Sequence, residues 1–169
     1  MYNHHKPRQE SAIIFILKGL VPYTEANLML AFKPGLFFAE LEKISRYKRH
    51  ALEVAMYEAQ KQKLIEKKIE QNQNIIRLTE LGQKTLRPFV AERLDGNALL
   101  MIIFDIPEDM AFARARLRRV LRSWNFRIIQ KSVWATSYDH RQSVNELVKE
   151  LEIEPYVQLF ECVPAKNSD

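Results

Sequence analysis

The sequence predicts an α+β fold in two parts, and three observations carry that prediction. Apolar residues recur at helical spacing through most of residues 9–60, and two short β-rich runs follow them. From Ala98 an unbroken apolar run opens a second pattern, in which strands alternate with two further amphipathic helices. The third observation is charge. The 169 residues carry 26 Lys+Arg against 21 Asp+Glu, and the whole excess lies in the first part: 16 basic against 11 acidic residues up to Asp95, then 10 against 10. Together with the turn-forming residues Asp95-Gly96-Asn97, this step divides the chain into residues 1–95 and 96–169.

After a polar leader, Gln9 to Leu20 puts Ile13, Ile16, Leu17 and Leu20 on one face of a first helix, which Pro22 ends. Thr24 is suited to cap a second helix through Phe32, because its side-chain oxygen can accept an orphan backbone N–H. Pro34-Gly35 breaks the chain, and LFFAELEKI reads as a third helical piece with Phe37 and Phe38 in the core or at an inter-domain contact. Ser45 is suited to cap a long basic helix whose buried side is Leu52, Ala55, Met56 and Ala59. LIEKKI and NIIRLTEL then read as two strands joined by the polar turn Glu70 to Asn74, a β-hairpin. This order of helices, long basic helix and hairpin is that of a winged helix-turn-helix. LIEKK followed by IIRLTELGQKTL also resembles the wing and closing helix of many bacterial regulators of that class.

In such modules the long helix enters the major groove, and its amino-terminal turn reaches the bases. Here Arg46, Tyr47, Lys48, Arg49 and His50 occupy that turn, where the positive end of the helix dipole also favours phosphate. Lys67 and Lys68 lie on the hairpin as wing contacts. The alternative is a solvated helix face. Charge, cap and hairpin agree in favouring contact with double-stranded DNA.

In the second part, ALLMIIF reads as a strand buried on both faces, with Asp105 at its carboxyl end and Pro107 turning the chain. AFARARLRRVLRSW is an amphipathic helix: Ala113, Leu117, Val120, Leu121 and Trp124 form its apolar face, and Arg114, Arg118 and Arg122 a separate ridge with Arg116 and Arg119 beside it. FRIIQKSVWATSY is β-rich, RQSVNELVKELEI helical and YVQLFECVP a last strand, so Ala98 to Pro164 spells a ferredoxin-like βαββαβ domain. Trp124, Phe126 and Trp134 suit its core. An apolar last strand would leave an open edge unless covered, which points to a homodimer.

IIFDIPE, RxxLRxxLRSWNF and QKSVW closely resemble two related families of this fold. One is the CRISPR-associated Cas-two protein, the small partner of a spacer-acquisition integrase. The other is the carboxy-terminal domain of the phenylacetic acid regulator PaaX, a transcriptional repressor. The resemblance covers almost all of the second domain, and one fold serves unrelated chemistries. The PaaX likeness implies a dimeric transcriptional regulator with no cofactor. Unlike PaaX, the chain shows no further carboxy-terminal region, which argues against a small-molecule effector pocket. The Cas-two likeness implies a metal-dependent nuclease with Mg²⁺ held between two copies of Asp105, or a non-catalytic adaptor that holds DNA for a separate integrase through the helix arginines Arg114, Arg118 and Arg122.

Residue chemistry narrows these readings. Mg²⁺ wants several hard oxygen ligands, and Asp105 supplies one carboxylate, so a strand-end acid ordering the turn at Pro107 is the plainer role. Glu108 and Asp109 suit the first turn of a helix, where acids complement its dipole. For the arginine ridge, a solvated face paired with acids stands level with DNA contact, since the net charge of residues 96–169 is zero. Ser132 has no partnering histidine motif, and His4, His5, His50 and His140 show no metal-ligand spacing with each other or with Cys162. There is no Gly-rich phosphate loop. A lone cysteine, a short apolar stretch at the amino terminus and no cleavage-site pattern lead to the expectation of a cytoplasmic protein outside membranes.

Overall fold

The computed structural model describes residues 11–21, 34–70 and 73–164. Helices combine with two antiparallel sheets in two compact units that divide between Val90 and Ala91. The residues just after this division are tied to the second unit by backbone hydrogen bonds. Leu94 N–H donates to Ser137 O at 2.8 Å, and Asp139 N–H to Glu92 O at 2.8 Å.

In the first unit, α1 spans Ala12–Gly19 and is capped by Ser11, whose hydroxyl oxygen accepts the Ile14 N–H at 3.3 Å. The expected helix between Thr24 and Phe32 lies outside the described residues, as does Pro22. Helix α2 spans Pro34–Ile44, and α3 spans Arg49–Lys61 with Leu52, Ala55, Met56 and Ala59 buried as expected. Ser45 does not cap α3. Its hydroxyl oxygen accepts the Tyr47 N–H at 3.1 Å within a bend, so the chain reaches helical geometry only after Lys48, which is the cap residue and makes no side-chain cap bond. Phe37 is wholly buried and Phe38 partly buried, in a core shared with Ile16, Leu17 and Leu41.

Strands β1 (Ile65–Glu70) and β2 (Gln73–Leu78) pair from Ile65↔Leu78 to Glu70↔Gln73. Glu70, Gln73 and Asn74 therefore belong to the ladder, and the connection is tighter than the Glu70 to Asn74 turn expected. The closing helix α4 spans Glu80–Leu86, capped by Thr79. The Thr79 Oγ1 atom accepts the Gly82 N–H at 3.0 Å and donates to Lys63 O at 2.7 Å, fixing α4 against the turn that precedes β1.

The second unit runs β3 (Leu99–Phe104), α5 (Ala111–Ser123), β4 (Arg127–Gln130), β5 (Val133–Thr136), α6 (Arg141–Glu150) and β6 (Val157–Cys162). Its strands lie in the order β4-β5-β3-β6, with every neighbouring pair antiparallel. Leu100, Ile102 and Phe104 pack with Ala113, Leu117 and Leu121 of α5 and with Val144, Leu147 and Val148 of α6. The expectation that β3 is buried on both faces is thus corrected. Its residues alternate between buried and half-buried, because the apolar faces of both helices join the core on one side of the sheet. Leu99, Met101 and Ile103 face the other way and are half-buried.

Helices α3, α5 and α6 end alike. Lys63, Asn125 and Glu152 each adopt positive φ (57°, 60° and 56°), and the following N–H of Leu64, Phe126 and Ile153 returns to the helix at Ala59 O, Leu121 O and Val148 O. Each of those next residues is a buried hydrophobe that seals the helix end into its core.

Candidate nucleic-acid interface

Arg46, Lys48 and Arg49, with His50, lie together at the start of α3. Arg46, Tyr47 and Lys48 precede the helix, whereas Arg49 and His50 form its first turn. Tyr47 packs its ring 6.0 Å from that of Phe15, and its hydroxyl accepts a hydrogen bond from the Arg46 guanidinium at 2.9 Å. The Arg46 guanidinium also lies 5.0 Å from the centroid of that ring. Arg49 pairs with Glu53 one turn on, at 2.8 Å. Both partners are largely exposed, so the pair contributes little to stability and is easily exchanged for a phosphate. Lys48 and His50 are exposed at the helix start, where free backbone N–H groups add positive potential. On the hairpin, Lys67 is exposed and registers with Ile76, and Lys68 registers with Ile75.

The arginines of α5 are held within their own unit. Arg114 donates to Ile106 O at 3.2 Å and Arg118 to Lys131 O at 3.1 Å. Arg118 also lies over the Phe104 ring at 5.6 Å and Arg122 over the Trp134 ring at 5.4 Å, while Arg116 pairs with Glu150. The line of Arg114, Arg118 and Arg122 thus joins the helix to the strand ends and β5, a use of long cationic stems that helical spacing does not reveal.

Asp105 stands exposed just past β3. Its N–H donates to Tyr156 O at 2.9 Å, which extends the β3–β6 pairing by one residue. Glu108 and Asp109 form a 3₁₀ turn, Glu108–Met110, ahead of α5. Among the described residues, no three His, Cys, Asp or Glu side chains come together as a metal site. Ser132 contributes its backbone, accepting the Phe104 N–H at 3.0 Å.

His140 is a feature that the sequence did not disclose. It is 2% exposed and lies beside the rings of Trp124, Phe126 and Tyr138, at 5.9, 5.5 and 6.1 Å. Its Nδ1 has no hydrogen-bond partner. Burial holds its pKa below the usual imidazole value, opposed by a hydrogen bond with the Trp124 backbone and by the nearby Asp139 carboxylate. The folded unit keeps this ring neutral at a pH where the unfolded chain takes up a proton. The stability contribution is therefore complete above the unfolded value near 6.5 and is lost progressively as pH falls toward the folded one. Both tryptophans lie in this unit, so urea unfolding followed by tryptophan fluorescence is expected to give a midpoint that drops between about pH 7.5 and 5. The drop should shrink in His140→Phe; an equal drop in that variant would remove His140 as its cause.

Residues 94–169 match the family described as the PaaX protein central Cas2-like domain. The second unit is a domain of that PaaX/Cas2-like type. No curated protein matches the chain. Among the described residues, no helix is long and apolar enough to cross a membrane.

Proposed function

We propose that the chain is a DNA-binding transcriptional regulator of the PaaX-like type that works as a homodimer in the cytoplasm. In this reading the first unit is a winged helix, and the second a ferredoxin-like domain that pairs two chains. The observation that carries it is the exposed basic group Lys48, Arg49 and His50 at the start of α3, on a unit that also has a hairpin bearing Lys67 and a closing helix. The ferredoxin-like reading is supported by the order of strands and helices and by the sheet order β4-β5-β3-β6. Arg114 and Arg118 are engaged with backbone carbonyls, and Arg122 lies over a tryptophan, so this reading leaves them outside the DNA surface.

Duplex binding measured against salt tests the proposal. Lys48→Ala/Arg49→Ala is expected to lower affinity about tenfold or more near 0.1 M salt, and to flatten the log–log salt slope by about 1.8, because each lost phosphate contact withholds about 0.9 of a released counterion. The same affinity and slope in the double variant would overturn the assignment of α3 as the reading helix. Loss of Arg49 also leaves Glu53 without its partner beside the DNA, which adds repulsion.

The homodimer reading rests on the second sheet. Strand β6 lies at its edge, and Met101, Ile103 and the 45% exposed Phe160 occupy the face opposite the helices. Light scattering at micromolar concentration is expected to give twice the chain mass; a monomer would refute pairing through this domain. A nuclease of the Cas-two kind would need a second Asp105 from the partner copy to complete an ion site, and an adaptor would need an integrase.

A further inference from the structure

At one end of the second sheet, the loop before β3, the start of β4, the exit of β5 and the residues after β6 border an open cavity of about 340 Å³. Its wall includes Arg93, Asn97, Leu99, Arg127, Ser137 and Pro164. We propose that this cavity is a binding site for a small organic anion, one carrying a carboxylate or a phosphate on an apolar body.

The first argument is charge. Arg93 and Arg127 are among the lining residues, and no acid is. Of the acids near these walls, Arg141 takes both Asp139 and Glu161, the latter at 3.1 Å, while the exposed Glu92 and Asp95 adjoin Arg93 and Gly96 in the chain without lining the cavity. Arg93 and Arg127 form no ion pair with a described acid. Two such groups facing one space repel each other, and an anion between them relieves that repulsion while offering oxygens to both forks.

The second argument is rigidity. Arg93 is held by a bridge to Tyr138, and Ser137 O accepts the neighbouring Leu94 N–H at 2.8 Å. Arg127 is fixed in the β4–β5 ladder opposite Ala135. Gly96 turns the loop at the positive φ of 58°. The donors therefore stand on paired backbone, and only their exposed side chains must be ordered when an anion enters.

The third argument is chemical mixture. Ser137 and Asn97 offer a hydroxyl and an amide, whereas Ala98, Leu99 and Pro164 offer apolar surface. A cavity of this volume stands at the small end of ligand sites, enough for a single ring or a short chain with one charged head. The site was not legible in sequence, where Arg93 and Arg127 lie 34 positions apart and outside every motif.

The proposal is independent of DNA binding, and its test reads the anion directly. Calorimetry of the full chain is run with benzoate and, separately, with inorganic phosphate, at constant ionic strength against chloride. Saturable binding of one anion per chain is expected for at least one probe: benzoate alone marks a carboxylate ligand, phosphate alone a phosphorylated one. Arg93→Gln/Arg127→Gln should weaken that binding about tenfold or more while leaving the unfolding midpoint unchanged, since both side chains are exposed. Absence of saturable binding of both probes, or equal binding by the double variant, overturns the site. Weaker duplex binding in that variant, with neither anion bound, would assign these arginines to the nucleic-acid surface and also overturn it.

Discussion

Gly82→Ala is expected to destabilise the first unit by about 3 kcal/mol, the upper end of what an inserted methyl costs in a packed site. In an open helix the same change would favour folding by about 1 kcal/mol. Here a β-carbon on Gly82 would stand 1.9 Å from Leu64 O and 2.9 Å from Leu64 C. Neither atom can yield cheaply. Leu64 O accepts the Thr79 N–H at 3.0 Å, Leu64 N–H is tied back to Ala59 O, and Thr79 is bonded both to Gly82 and to Lys63 O. Relief of the clash must therefore lift α4 off the chain between α3 and β1. Because both tryptophans belong to the second unit, far-UV circular dichroism in urea should show the first unit melting earlier while the fluorescence transition keeps its midpoint. Gln83→Ala, an exposed neighbour, should change stability by no more than about 0.5 kcal/mol. A Gly82→Ala midpoint equal to or above wild type would show that α4 does not approach Leu64 this closely.

Trp134→Ala is expected to cost the second unit about 3–5 kcal/mol, as for other large aromatic deletions in cores. Trp134 is 1% exposed, pairs across the sheet with both Ile102 and Ile128, and lies under the Arg122 guanidinium. Truncation opens a cavity beneath α5 and removes the surface on which Arg122 rests. Trp134→Phe should lose much less, because the ring volume is largely kept and the buried indole N–H, which has no hydrogen-bond partner, is removed. Urea unfolding followed by circular dichroism and by the remaining Trp124 measures both. Similar losses in the two variants would mean that ring packing is not what holds this site.

Helix faces were the most legible part of the fold. Leu52, Ala55, Met56 and Ala59, like Ala113, Leu117 and Leu121, are buried as their spacing requires, because an amphipathic stripe allows only one orientation toward a core. Local competition was less legible. Ser45 has the chemistry of a cap, but a bend through Tyr47 offered its hydroxyl a nearer partner, so the helix starts four residues later. The β3 run was apolar enough for burial on two sides, yet the number of layers around a sheet is decided by where distant helices pack.

The sequence by itself determined the two-part division of charge, the order of helices and strands among the described residues, the core faces and the basic group ahead of α3. Those properties depend on neighbours within a turn or a strand, where spacing acts directly. Only the tertiary structure decided that Arg118 lies over Phe104, that His140 is sealed among three aromatic rings, that Gly82 meets Leu64 O and that Arg93 and Arg127 share one cavity. Apart from Tyr138 beside His140, each of these joins residues more than a dozen positions apart. Their burial and charge environment is set by which strands pair and which helix covers them, and no local pattern encodes that pairing.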